Sequence, residues 1–268
     1  MPELRLIEPV LKPRIWGCRD LTGWYPCTTG TEPIGEAWLS PLEGPVLVKL
    51  LFPRERLSVQ VHPDDAYAAA HGLGRGKSEA WYVVSAEPDA QVGVGLRPGA
   101  TWSEMAAACR SGRGAEMLHW IAVAPGEVIH VPAGTVHAVG GGTVLLEVQQ
   151  PSDTTFRLDD YGRGRELHLD AGLAVARTTA GARHEHGLAI DQSGLLLATD
   201  HFQLGRHCVA PGQILELAPL PEPRWLVNLE GSGDIPKGFL AELPAQTSYR
   251  RSHAGTLMEV RSGLSMTR

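Results

Sequence analysis

The stretch Leu57-Ser58-Val59-Gln60-Val61-His62-Pro63-Asp64-Asp65 constrains this chain most. Its first six residues alternate. On a strand, Leu57, Val59 and Val61 face one side, and Ser58, Gln60 and His62 face the other. Pro63 has no N–H to give to a ladder, so the strand ends there, with both aspartates in the turn. One aliphatic face and one face carrying a hydroxyl, an amide and an imidazole describe a strand that presents chemistry to a cavity.

The rest of the chain repeats the β signal. Val46 to Leu51, Glu79 to Val84, Glu127 to Val131 and Thr143 to Val148 read as strands, and 31 glycines and 20 prolines mark frequent reversals. Residues 1–45 read as short strands and loops over a core. Helical signals are few. Asp64 caps one or two turns to Ala70, Thr101 with Glu104 opens a helix to Arg110, and 115–121 reads as a second short helix. The expected class is all-β.

Four scattered cysteines without a CxxC pair point to a reducing cytoplasm and away from a thiolate zinc site. A formal charge of −6 argues against nucleic acid. No apolar run is long enough for a membrane span, and the first residues do not read as a signal peptide.

The chain also echoes itself. Pro132-Ala133-Gly134-Thr135-Val136-His137 matches Pro244-Ala245-Gln246-Thr247-Ser248-Tyr249, and Gly142 to Val148 matches Gly255 to Val260. Glu147 and Glu259 fall in register. A weaker echo aligns Trp81 with Trp225, which sets Pro223 or Glu222 near the place of Glu79. The expectation is a duplicated β-module. Residues 1–180 form a catalytic, metal-binding first copy with a helical insertion near 101–121, and 181–268 form a degenerate second copy without a metal site.

Gln60, His62, Glu79 and His137 are the candidate metal ligands. Two imidazoles, a carboxylate and an amide oxygen suit a borderline divalent ion, with zinc the first choice. Gly126, Pro132, Gly134 and His137 have a spacing that resembles the second motif of the cupin barrels, in which a Pro/Gly corner turns a histidine into the barrel mouth.

With these residues in place the resemblance narrows. Leu57 to Asp65, Gly76 to Val83, Val131 to His137 and Leu146 to Arg157 resemble type I phosphomannose isomerases in their short bacterial form, as do Pro13 to Gly17 and Ile34 to Trp38. The resemblance implies two cupin-type (jelly-roll) barrel modules and one Zn²⁺ per chain on Gln60, His62, Glu79 and His137. It implies interconversion of mannose 6-phosphate and fructose 6-phosphate by proton transfer between C1 and C2 through an enediol. It places Arg157, Glu147 and Lys77 in the chemistry, and Lys49, Ser58 and Arg163 on the substrate and its phosphate. A monomer or homodimer acting on a small phosphosugar is expected. The alternatives are a non-catalytic phosphosugar-binding cupin regulator and another small-molecule cupin metalloenzyme.

Overall fold

The computed structural model describes residues 4–25, 32–177, 183–185 and 188–263. Strands dominate, as expected. A seven-stranded sheet runs in the order Arg183–Glu185, Val128–Val131, Glu79–Ala86, Thr143–Gln149, Leu47–Leu51, Ile34–Trp38, Val10–Cys18. It faces a five-stranded sheet ordered Phe156–Asp159, Val59–Val61, His137–Val139, Gln91–Leu96, Leu118–Ala122. A six-stranded sheet, ordered Arg5–Ile7, Leu240–Leu243, Arg224–Asn228, Gly255–Ser262, Phe202–Val209, Gly194–Ala198, faces the ribbon Leu215–Leu217 and Tyr249–Arg251. These are the two expected cupin-type modules. The chain crosses between them twice, because Arg5–Ile7 pairs in the second module's sheet and Arg183–Glu185 in the first's.

The large sheets pack back to back. Val48, Leu50, Leu146 and Val148 from one meet Phe202, Leu204, Val227 and Val260 from the other, in one buried cluster. Each such side chain, taken fully out of water, contributes about 1.5–3 kcal/mol. The inner face of the first module holds Leu51, Trp81, Val83, Ile129 and Leu145, and that of the second holds Leu226, Ala241, Leu243 and Leu257.

The helix Trp102–Arg110 carries the full capping box between Thr101 and Glu104, and Asp64 caps Asp65–Ala70 by accepting from the Tyr67 N–H. The helix expected over 115–121 is instead a 3-10 turn, Gly114–Met117, followed by the strand Leu118–Ala122. That strand pairs with Gln91–Leu96, where Gly93 lies opposite Trp120. A Cβ at Gly93 would meet Leu118 Cδ1 at 2.8 Å, so the glycine lets bulky neighbours pack on this hairpin. No helix among the described residues is long and apolar enough to cross a membrane.

Cross-strand register aligns the modules residue by residue. Glu147 stands opposite Lys49 and Trp81, and Glu259 stands opposite Gly205 and Leu226. Carried two residues along, the same ladders set Arg224 at the place of Glu79 and Arg261 at that of Gln149. The corners agree. Gly134 has φ +85°, and its counterpart Gln246 keeps a left-handed φ of +58° although it is not glycine. Trp81 therefore matches Leu226, not Trp225, which points into the inter-module core. His137 becomes Tyr249. Its strand partner Gln60 becomes Leu217, which moves His62 to Pro219.

Glu259 survives at the place of Glu147 with new partners. Burial pushes its carboxyl up, but hydrogen bonds from His207, Arg261 and Arg224 outweigh this and hold it at about 2. A depressed carboxyl stabilises the fold fully above the ordinary value of 4.5 and loses that contribution as pH falls towards 2. Thermal melts between those limits should therefore drop more steeply for the native chain than for Glu259→Gln. Parallel slopes would mean the cluster does not stabilise the module.

Candidate metal centre

Three strands and their ends bring the candidate ligands together. Gln60 lies opposite His137 on one side and Arg157 on the other. His62 follows directly after that strand, Val59–Val61, and Glu79 opens the strand beside Val131. The Pro132–Gly134 corner delivers His137, and the Gly134 N–H donates to His62 O at 2.8 Å, tying corner to strand.

His62, Glu79 and His137 are 1%, 0% and 0% exposed, and their ligand atoms lie within 4.8 Å of one another. His62 Nε2 is 3.4 Å from Glu79 Oε2, and His137 Nε2 is 3.3 Å from Glu79 Oε1. Ligands at tetrahedral zinc distances stand about 3.3 Å apart. The far nitrogens are engaged. His62 Nδ1 lies 3.0 Å from Thr154 O, and His137 Nδ1 lies 2.9 Å from Thr135 O. A carbonyl taking the Nδ1–H leaves Nε2 as the lone pair facing inward. Among the described residues, Glu79 Oε1 and His137 Nε2 have no hydrogen-bond partner, while Glu79 Oε2 is met by the Lys77 ammonium. Buried polar atoms are rarely left so unless something else completes them. The donor set fits a divalent ion.

Lys77 Nζ sits 2.7 Å from Glu79 Oε2 and 2.9 Å from His62 Nε2. Burial pushes Glu79 up and Lys77 down. Their mutual attraction outweighs it, holding Glu79 well below the carboxylate range and Lys77 above its usual value. Burial, with the Lys77 charge, holds His62 at about 3, and burial lowers His137. Both rings are therefore neutral, the form that binds a metal.

A cavity of about 460 Å³ opens against Gln60 and Lys77, and Lys49, Ser58, Glu147 and Arg157 also line it. Lys49 Nζ is 3.2 Å from Glu147 Oε1 and 5.0 Å over the Trp38 ring, so its charge is committed to Glu147. Trp81 Nε1 donates to Glu147 Oε2 at 3.1 Å. Burial raises Glu147; Lys49 opposes and Glu79 adds to the rise. Arg157 Nη1 donates to Glu166 O at 2.7 Å, while its buried Nε has no partner among the described residues. Burial and the charges of Arg165 and Arg163 lower its pKa.

Arg163 does not line this cavity. Its Nη2 donates to Arg56 O at 2.9 Å and its Nε to Asp160 O at 3.1 Å, with the guanidinium over Tyr161. Arg165, two residues on, lines it instead, pinned by both Asp160 oxygens. Arg14, ion-paired with Glu36 at 2.9 Å, lines it as well. Sequence reading passed over both. Arg14 lay inside the quoted Pro13-Arg14-Ile15-Trp16 motif, but Arg165 had no local signal.

A paired jelly-roll with an inward His–Glu–His set over a cationic cavity defines a metal-binding cupin of two modules. No family model matches the sequence. Individual proteins do. The mannose-6-phosphate isomerase of Bacillus subtilis (strain 168) is 32% identical over 276 aligned positions, covering 86% of this chain and 87% of that protein. This chain belongs to the mannose-6-phosphate isomerase family, the type I phosphomannose isomerases. A crystal structure of the Bacillus subtilis enzyme superposes with a TM-score of 0.83 over 97% of this chain and 100% of that one, at 25% identity. A zinc-bound mannose 6-phosphate isomerase shares the fold at 16% identity, with a TM-score of 0.75 over 97% and 99%.

Proposed function

We propose that this protein is a zinc-dependent aldose–ketose isomerase interconverting mannose 6-phosphate and fructose 6-phosphate. The carrying observation is the buried ligand set beside Arg157 and the Lys49–Glu147 pair, in a chain similar along most of its length to an enzyme of that name. Residues 1–180 carry the chemistry; 181–268 support it. Gln60, His62, Glu79 and His137 would hold one Zn²⁺, which when bound supplies Lewis-acid polarisation of sugar oxygens. The neighbouring structure that carries zinc supports that choice of ion.

The chain's own groups divide the remaining work. Glu147, raised towards neutrality by burial, takes and returns the proton moved between C1 and C2, with Lys77 as the adjacent cation. Arg157 holds the negative charge that develops on the enediolate. Trp16 lines the cavity, Trp38 lies under the Lys49 ammonium, and Trp81 donates to Glu147, which holds the Lys49–Glu147 pair in place. Ser58 offers a hydroxyl to the substrate. The cytoplasm suits the free cysteines among the described residues, Cys18, Cys109 and Cys208, and the enzyme works as a monomer or homodimer. A coupled assay with mannose 6-phosphate as substrate, with and without chelator, tests the reading. No fructose 6-phosphate from the zinc-loaded protein would reject it.

One tightly held zinc per chain is expected, because all four ligand positions are lost in the second module. Elemental analysis finding two would overturn the register equivalence. The phosphate end is assigned to Arg165. Arg165 lines the cavity with Arg14, Lys49, Lys77 and Arg157, and these cations outnumber the lining carboxylates Glu36, Glu147 and Asp153, which favours a dianion. Arg165→Ala should raise KM for mannose 6-phosphate by about 10–100-fold with kcat little changed, the loss of a charge-assisted contact made equally in ground and transition states. Arg163→Ala should shift KM by less than about threefold, since its side chain points at Arg56 O. The reverse ranking in steady-state kinetics would restore Arg163 as the phosphate residue.

A further inference from the structure

The second module did not simply lose its site; its charge is inverted. Arg224 replaces the metal-ligating Glu79, and Arg261 replaces Gln149 on the same inner face. Gly205 replaces Lys49 opposite the retained glutamate. Arg224 Nη1 lies 3.1 Å from Glu259 Oε1, Arg261 Nε 2.8 Å from the same oxygen, and His207 Nε2 2.7 Å from Oε2. Two guanidiniums face one carboxylate, so the cluster is net positive even with His207 neutral. Glu259 stays ionised, and no cation belongs here.

Space adjoins this cluster. A cavity of about 310 Å³ is walled by Leu220, Pro221, Glu222, Pro223 and Ser262, and another of about 140 Å³ reaches His207 and Glu259. Gln203 and Arg261 line both. A Cβ built at Gly205 would meet nothing closer than 3.6 Å, so the absent side chain leaves the floor open. Among the described residues, the Gln203 amide makes no hydrogen bond, and Arg261 donates only through Nε, which leaves its two terminal nitrogens available. Donors with free valences, the buried Gln203 amide and the half-exposed Arg261 guanidinium, beside a positive cluster select an oxyanion. The one acidic wall residue, Glu222, lies on the larger cavity and disfavours a polyanion there.

We propose that the second module binds the oxyanion head, phosphate or carboxylate, of a small metabolite, on Arg261 and Gln203 backed by Arg224 and His207. This is a ligand site separate from the metal centre, and it does not depend on the isomerase reading. The module keeps the inherited glutamate as the post that orients two arginines. The vacated metal position becomes an anion position.

Isothermal titration of the zinc-loaded full chain with inorganic phosphate, and separately with malonate, tests it. The Arg165→Ala background keeps the catalytic cavity from contributing. At least one of the two anions should bind at one site per chain. Adding Arg261→Ala should weaken that binding by about tenfold or more. Gln203→Leu gives a second, independent loss. Circular dichroism and turnover of the single variant Arg261→Ala should match the parent chain, since its side chain is 39% exposed. Binding of phosphate alone marks a phosphate ester as the ligand class, and of malonate alone a carboxylate. No binding by either anion, or binding untouched by both Arg261→Ala and Gln203→Leu, overturns the proposal.

Discussion

His137→Ala is expected to purify with zinc near background and to isomerise mannose 6-phosphate at least about 10³-fold more slowly. Several kcal/mol of transition-state charge stabilisation go with the ion, and about 1.4 kcal/mol is a factor of ten. The protein should nevertheless stay folded. His137 is a neutral ring whose removal leaves a cavity in the first module and strands no buried charge. Glu79→Ala should behave differently. It strips the ion equally but leaves the Lys77 ammonium, 4% exposed, without its counter-charge. Breaking one side of a buried pair costs about 3–5 kcal/mol, so the melting temperature of the metal-free Glu79→Ala protein should fall well below that of metal-free His137→Ala. Elemental analysis and melting curves of the two variants check both statements. Global unfolding of His137→Ala at room temperature would make the ion a structural keystone. Equal melting temperatures would mean that Lys77 finds another partner or sheds its proton.

Arg157→Ala should lower kcat and kcat/KM together by about 10²–10³-fold, the loss typical of one preorganised donor aimed at transition-state charge. The guanidinium is prepared for that task. Its backbone pairs with the ligand strand at Gln60, the Glu166 carbonyl fixes Nη1, and Nε stands buried without a partner among the described residues. Lysine should rescue poorly, because an ammonium can replace the charge but not the planar fork held by Glu166 O. Lys49→Ala belongs in the same experiment. With its ammonium on Glu147, it should lower kcat rather than raise KM. If Arg157→Ala raises KM and spares kcat, Arg157 is part of the phosphate end with Arg165, and Lys77 is left as the cation nearest the enediolate.

Much of this site could be read directly from the chain. Gln60 and His62 share a face because side chains on a strand alternate, and the proline behind them ends the strand. The Pro132–Gly134 corner announced where His137 turns inward, and the Thr101 and Asp64 caps marked two helices. These signals are local: a period, a cap or a turn is complete within a few residues. The strand Leu118–Ala122 escaped for the same reason, since its partner Gln91–Leu96 is remote and glycine-rich.

Sequence by itself determined the fold class, and it singled out four candidate ligands in order and the echo between the two halves. Only the tertiary structure decided what stands opposite what. Trp81 corresponds to Leu226 rather than to the similar-looking Trp225, because ladder register, not composition, pairs residues. Lys49 serves Glu147 because they are neighbours across two strands nearly a hundred residues apart in the chain. Both Arg163 and Arg165 pair with Asp160, but Arg163 also reaches back to the Arg56 carbonyl, and only Arg165 lines the cavity. Arg224 took the place of Glu79 without any motif to mark it. Such pairings depend on contacts made only when distant strands close, and no local pattern encodes them.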